Sequence, residues 1–404
     1  MNAPQPPRWS PDQIDLHVVL PTRVFGGAER TIANLLEGLA LLPSVPSVTI
    51  YGDPVLLRPH VPAGVTVAWV DITAWPVGTA LQTLRGTRAD AARLAAHVAA
   101  QRRPGRKAVV LGMLHYGVGL AVWMRWALRR QPDTRVLASP RGPSVLGIPM
   151  ITPHRWQRWL LHGHVVAAGR WCDGVIVPSD GMRQELLRRY RARADRVWAV
   201  PNSYPARLDE VWAQRQHDAA GADDAASLAG GVRFVMASRL SSEKAIGWAI
   251  AAFAHHAVAH PHDTLTVIGD GPDRALLQAD IAARGLQDRV RLQPFAQDPF
   301  GAMARHDVYV HTCLLEGFGN SMVEALALGL PVIATDCDFG PRHIVRPGIN
   351  GWLVPPGDAA ALADAMAAVH RWPMDRWRRA ARASALSYTS FAMAARYVDI
   401  FSRV

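Results

Sequence analysis

Cysteine is scarce, with only Cys172, Cys313 and Cys337 in 404 residues. Three scattered thiols exclude a disulfide framework and a tetrahedral zinc site built on close ligand pairs, so a reducing cytoplasm is the expected setting. Lysine is nearly absent too: of 44 cations only Lys107 and Lys244 are lysines, which makes each a departure from an arginine background. No long apolar run exists. The longest uncharged stretch, Ala108 to Met124, contains His115 and three glycines and falls short of the roughly 20 apolar residues of a spanning helix, so it reads as a strand, a turn and a helix start. The opening MNAPQPPRWSPDQ has no apolar core behind a basic end and is expected to be a flexible tail over 1–12, not a secretory signal.

What is present is half hydrophobic and only 19% charged, too apolar for a disordered chain and long enough for two domains. Residues 1–200 carry 25 Lys/Arg against 12 Asp/Glu, and the remainder 19 against 21, so the first part is +13 and the second −2. That asymmetry implies an anionic partner for the first part, either nucleic acid or membrane head groups.

Short apolar runs alternate with helical patterns, the signature of βαβ units and parallel sheets. Strands are expected at Leu16–Leu20, Val48–Tyr51, Val109–Leu111, Val136–Ala138, Val175–Val177 and Val197–Val200, with helices at Ala28–Leu41, Arg155–Leu161 and Asp180–Tyr190. A second series runs through strands Val232–Ala237, Thr264–Ile268, Val290–Leu292, Val308–Thr312, Pro331–Thr335 and Trp352–Val354. Its helices are Ile246–Ala259, Arg274–Arg284, Phe300–Ala304 and Ser321–Leu328. The expected architecture is α/β: two tandem Rossmann-like, doubly wound domains over 13–205 and 232–385, facing across a cleft. A linker is expected over 206–231, and a closing helix over 386–404 that packs on either domain, with the first as the favoured place. Such sheets bind ligands outside the carboxyl ends of their strands.

The densest chemistry lies in CLLEGFGNSMVEALALGLPVIATD, residues 313–336. A strand is followed by a turn through Gly317 and Gly319 and a helix opening at Asn320 or Ser321, which aims backbone N–H groups and a positive dipole end outward, an anion cradle. Glu316 and Glu324 suit sugar hydroxyls; alternatively Ser321 to Glu324 is a capping box in which Glu324 only satisfies the helix start. Arg239 and Lys244, in SRLSSEK, lie on the loop after the first strand of the second series, where a parallel sheet presents cations to a ligand, although exposed cations there are also ordinary surface.

Arg239 and Lys244 in RLSSEK, IGDGPDR at 268–274, EGFGNSMVE, GLPVIATDCDFGPR and NGWLVPPGD together resemble the donor domain of GT-B glycosyltransferases of family 4, the "group 1" type. FGGAERTIANLL at 25–36 is similar to that family's first loop and helix. The resemblance implies transfer of a sugar from a nucleotide-diphosphate sugar, with retention and without a bound metal or other cofactor. It implies that Arg239 and Lys244, with the N–H groups at Gly319, Asn320 and Ser321, stabilise the departing diphosphate, a role that fixed cations and dipoles must fill where no metal does. Glu316 would hold the sugar and Glu324 the ribose, while Gly271 and Phe318 fall within the donor motifs. Gly26 and Gly27 would let backbone approach the diphosphate, unless they form only a tight turn. Asp336-Cys337-Asp338 spells D-x-D, a metal signature of another glycosyltransferase fold, but lies within a stretch already explained and reads as a turn.

Two departures stand out. Relatives often place a histidine after the strand ending LASPRGP, where this chain has Arg141; His115 is the substitute candidate as a catalytic group, or a structural histidine. His343 in GPRHIV stands where relatives often carry glutamate. Arg155, Trp156, Arg158 and Trp159 combine cations with indoles on one predicted helix, either an interfacial membrane surface or core tryptophans with solvated arginines.

The expected function is therefore a glycosyltransferase acting on a glycan or lipid-linked acceptor in cell-envelope polysaccharide or lipopolysaccharide synthesis. Its expected place is cytoplasmic, at the inner face of an anionic membrane, with no nucleic-acid partner. The alternative is a catalytically silent binding or chaperone subunit, against which Arg239, Lys244, Glu316 and Glu324 argue. No nucleic-acid recognition motif and no dinucleotide G-x-G-x-x-G fingerprint is present.

Overall fold

The computed structural model describes residues 9–22, 26–72, 84–152, 154–219, 230–295 and 299–404. The chain forms two compact units, one of 1–203 with 390–404 and the other of 204–389.

The first unit is a seven-stranded parallel sheet of β1 (Ile14–Val19), β2 (Ser47–Gly52), β3 (Val67–Asp71), β4 (Lys107–Met113), β5 (Thr134–Ser139), β6 (Gly174–Val177) and β7 (Val197–Ala199). Its order is β3-β2-β1-β4-β5-β6-β7, so chain direction across the sheet reverses between β1 and β4. β1 and β4 are buried along their whole length, the continuous apolar pattern of strands covered on both faces. The Ser390–Arg403 helix lies against the Gly27–Ala40 helix, close enough that a Cβ on Gly38 would sit 2.0 Å from the Ser390 carbonyl oxygen. Its Tyr397 and Phe401 complete the core of this unit.

The second unit is a six-stranded parallel sheet of β8 (Arg233–Ala237), β9 (Thr264–Ile268), β10 (Val290–Gln293), β11 (Val308–His311), β12 (Val332–Thr335) and β13 (Gly351–Val354). Its order is β10-β9-β8-β11-β12-β13, with the reversal between β8 and β11.

Several expectations need correction. The region 206–231 is not a plain linker, because Arg207–Ala219 is a helix of the second unit. Leu208 is buried in that unit's core, Trp212 covers Gly329, where a Cβ would meet the indole at 2.1 Å, and Arg215 donates to the carbonyls of Leu328 and His306. The remainder of that expected linker, 220–229, lies outside the described residues, as do 1–8 of the expected tail and Phe25 of the FGGAER stretch. The expected closing segment from 386 divides: Leu386–Tyr388 is a short 3-10 turn of the second unit, and the helix begins at Ser390. The helix expected over Arg155–Leu161 continues to Trp171. Trp156 and Trp159 are 57% and 75% exposed, which sets aside the reading of both as core residues. Among the described residues no helix is long and apolar enough to cross a membrane.

Candidate functional site

In the second unit the loops after β8 and β11 flank the strand reversal, the place where an open parallel sheet forms a ligand crevice. The first loop passes Arg239, makes a 3-10 turn at Ser242–Lys244, and enters its helix through Ala245 at φ 45°. Two hydrogen bonds stitch the loops: Leu314 N–H donates to Glu243 O at 2.8 Å and the Thr312 hydroxyl to Lys244 O at 2.9 Å. This stitching brings Lys244 Nζ to 2.7 Å from Glu316 Oε2, in an ion pair whose side chains are 21% and 16% exposed.

His311, at the end of β11, is buried with Nε2 3.3 Å from the same Glu316 oxygen. At that distance the imidazole and the carboxylate act on each other's charge. Burial alone would raise the Glu316 carboxyl, but the Lys244 charge and His311 hold it well below the usual carboxylate range. Burial likewise opposes the charge on Lys244, and Glu316 outweighs it, leaving the ammonium above its ordinary value. His311 follows the same balance: burial pushes it down, Cys313 and Glu316 push it up, and it ends at about 9. The result is an ionised carboxylate held between two cations. Neither motif nor spacing singles out His311 in the sequence; the turn of the chain after β11 brings Glu316 back to it.

The loop from Glu316 turns through Gly319 at φ 104°, a left-handed conformation suited to glycine, and the helix starts at Asn320. Gly319 is the N-cap, so Glu324 is the fifth helical residue and the capping box expected from Ser321 to Glu324 does not form. Glu324 is buried, and its charge acts on Tyr309, whose hydroxyl also meets Ser321. Phe318 turns its ring into the core against Tyr388, at 5.9 Å between centroids, so its side chain serves packing. Gly271 lies against the first loop, where a Cβ would meet Leu240 O at 2.2 Å; backbone contact within the unit accounts for this glycine. Arg239 is exposed on its loop. The D-x-D stretch is a turn in which Arg342 grips Asp336 at 2.9 Å and Cys337 Sγ lies 2.7 Å from Cys313 Sγ. His343 is exposed on the Pro341–Ile344 helix. His311, Cys313 and Glu316 bring one N, S and O donor within 4.8 Å of one another. The Lys244 ammonium on Glu316 opposes a metal cation there.

In the first unit the loops after β1 and β4 flank the corresponding reversal. Gly26 caps the Gly27–Ala40 helix in extended conformation, and its N–H donates to Glu29 Oε2 at 2.8 Å. Glu29, buried at the third helical position, was not singled out from sequence, although G-G-A-E carries the spacing of a capping glutamate. A Cβ on Gly26 would lie 3.3 Å from that carboxylate. After β4, Gly112 and Gly117 allow the chain to fold back, since a Cβ on Gly112 would meet Gly117 O at 2.3 Å. His115 occupies the resulting first helical turn. Its Nε2 is buried without a partner, and burial, aided by His162, lowers its pKa to about 4, so it is neutral at pH 7. Arg141 is a tether: it donates to Asn202, Thr31, Ser139 and the Tyr397 hydroxyl.

A family model described as "Glycosyl transferases group 1" matches residues 231–371, and one described as "Glycosyltransferase Family 4" matches 25–206. The chain is 32% identical over 253 residues to a GDP-mannose-dependent alpha-mannosyltransferase of Mycobacterium tuberculosis, covering 61% of this chain and 59% of that protein. It is 33% identical over 195 residues to an exopolysaccharide phosphotransferase of Streptomyces coelicolor, covering 48% of this chain and 19% of that one. The matched stretches thus span less than two thirds of these curated relatives. Among solved structures, Anabaena HepE in complex with UDP and glucose superposes with a TM-score of 0.72 at 18% identity, covering 96% of this chain and 100% of that one.

Proposed function

The chain belongs to the GT-B glycosyltransferases of family 4, and on that premise we propose that it transfers a sugar from a nucleotide-diphosphate sugar to a glycan or lipid-linked acceptor. The observation that carries this reading is the Lys244–Glu316 pair, backed by His311, on the two loops that flank the strand reversal of the second sheet. A departing diphosphate gathers negative charge. Lys244 and exposed Arg239, with the N–H groups at the Gly319–Ser321 helix start, are the donors that stabilise it. Glu316, ionised and oriented by two cations, accepts hydrogen bonds from the sugar; Glu324 is assigned to the ribose. Gly271 and Phe318 shape the surrounding loops. In the first unit, Gly26, Gly27 and His115 are the ligand-binding candidates, with neutral His115 suited to accept a proton.

Transfer with retention, and without metal or other cofactor, is part of this reading. Lys244 supplies at Glu316 the positive charge that a metal would otherwise bring. Similarity to an exopolysaccharide phosphotransferase supports cell-envelope polysaccharide or lipopolysaccharide synthesis as the setting. The exposed indoles of Trp156 and Trp159 beside exposed Arg155, within residues 1–200 whose sequence charge is +13, support peripheral binding to an anionic membrane from the cytoplasmic side. The test is thermal unfolding with UDP, GDP or ADP, each with and without EDTA, followed by turnover with the matching sugar donor. A shift with one nucleoside diphosphate that survives EDTA supports the reading and names the base. Binding without turnover would make the chain a silent binding subunit, and no shift in a folded sample would overturn the site assignment.

A further inference from the structure

At the amino edge of the second sheet, opposite the strand ends that carry Lys244 and Glu316, three ionisable side chains converge from three separate elements. Asp263 immediately precedes β9, His256 sits in the last turn of the Ile246–Ala259 helix, and His370 in the 3-10 turn Val369–Arg371. His256 Nε2 lies 2.6 Å and His370 Nε2 2.8 Å from the same oxygen, Asp263 Oδ2. The other carboxylate oxygen accepts the Val232 N–H at 2.8 Å, which fixes the carboxylate so that Oδ2 faces both rings. His260 stacks on His370 at 4.1 Å and on His256 at 4.5 Å, keeping the imidazoles nearly parallel. His256 Nδ1 is buried without a partner, so that ring is oriented from its Nε2 side alone.

We propose that His256, Asp263 and His370 form a binding site for a divalent transition metal, zinc in the first instance, with a structural role. Two imidazole nitrogens and one carboxylate oxygen are a donor set that zinc accepts, with water in the remaining position. All three atoms lie within 4.8 Å of one another. Two ligands of a tetrahedral zinc stand roughly 3.3 Å apart, so a bound ion spreads these atoms by about half an ångström. His370, 29% exposed, has room to withdraw and opens the site to solvent. The ion would add a further fastening of the turn at Val369–Arg371 to the sheet edge, which is held by burial of Val369, the His370 stack on His260 and the His370–Asp263 hydrogen bond.

Tag-free full-length protein, stripped with chelator and dialysed, is titrated with zinc chloride by equilibrium dialysis with elemental analysis, and with cobalt chloride by visible absorption. The expected result is about one equivalent of zinc, a cobalt spectrum of low-symmetry N/O coordination, and a raised unfolding midpoint. His370→Ala is expected to lose at least about tenfold in affinity, while Trp159→Ala, altered at an exposed position of the first unit, binds zinc as the parent does. If stripped parent protein holds no zinc at about ten times its own concentration, the cluster is a hydrogen-bonded clasp and the proposal fails. Unchanged affinity in both His370→Ala and His256→Gln also overturns it. Should either variant not fold, the parent stoichiometry alone decides.

Discussion

The two units repeat one construction, a parallel sheet with loops at the point where strand order reverses, but fill that point with opposite chemistry. In the first unit the loops carry glycines, a neutral buried histidine and a glutamate turned onto its own backbone. In the second they carry an ammonium, a carboxylate and a second histidine shifted toward its charged form. Net charge runs the other way, +13 over residues 1–200 and −2 over the rest. Bulk charge and site charge are thus separate properties: the excess of cations lies in the first half, whereas the fixed, partly desolvated charges of the Lys244–Glu316 pair lie in the nearly neutral half.

The sharpest way to break this comparison is to remove the second unit's cation. Lys244→Ala is expected to lower turnover by about 100-fold or more, since it removes a charged donor and leaves Glu316 with His311 alone. Arg239→Ala, at an exposed position, is expected to cost less. Steady-state kinetics at saturating donor check both, and equal losses would put the emphasis on Lys244 in error.

Next comes pH, where the units should respond at opposite ends. His311, raised above its unfolded value of 6.5 to about 9, contributes stability and donor affinity that are fully present below pH 6.5 and are lost as pH rises through 9. His311→Asn should flatten that alkaline limb while leaving the fold intact. In the first unit, burial lowers His17 and His115 to about 4. Between pH 6.5 and 4 the unfolded chain binds more protons at these residues, so stability falls as pH drops. Urea unfolding across pH 4–10, with donor affinity measured in parallel, separates the two limbs.

Smaller effects are expected from the first unit's local devices. Arg141→Ala should destabilise by about 2 kcal/mol by releasing Asn202 and Thr31, and Glu29→Ala by about 1 kcal/mol through loss of the acceptor for Gly26 N–H. Denaturant midpoints measure both, and Glu29→Gln should recover most of the second loss. Trp159→Ala should leave stability within about 0.5 kcal/mol, its ring being largely exposed, while weakening sedimentation with anionic vesicles. Unchanged sedimentation would remove the membrane assignment from this helix.

The strands of the second unit were legible almost to the residue, because short continuous apolar runs bounded by polar turns leave few alternatives. The first unit was less so. β3 is an edge strand of mixed exposure and carries no such run. The Leu84–Ala100 helix, rich in alanine and arginine, presents only a weak apolar stripe. The Arg207–Ala219 helix escaped because the Ala/Asp/Gly-rich stretch after it lent its character to the whole segment. Of the site residues, Lys244 and Glu316 stood out as motif members, but their pairing did not. A capping glutamate is a spacing that can be read from sequence: at Gly26–Glu29 it forms, whereas at Ser321–Glu324, an alternative reading of Glu324, the helix already starts after Gly319.

By itself the sequence determined the succession of strands and helices, the two-sheet construction and the loops that bear chemistry, all local patterns of polarity and turn residues. The tertiary structure alone decided which charges meet. Whether Lys244 faces solvent or Glu316, and whether His256 and His370 share one carboxylate, depend on contacts between residues 7 to 107 positions apart, and whether His311 is a core residue or a cation depends on the turn that brings Glu316 back to it. Electrostatic energy follows distance in space and loss of water, and neither is written in the spacing along a chain.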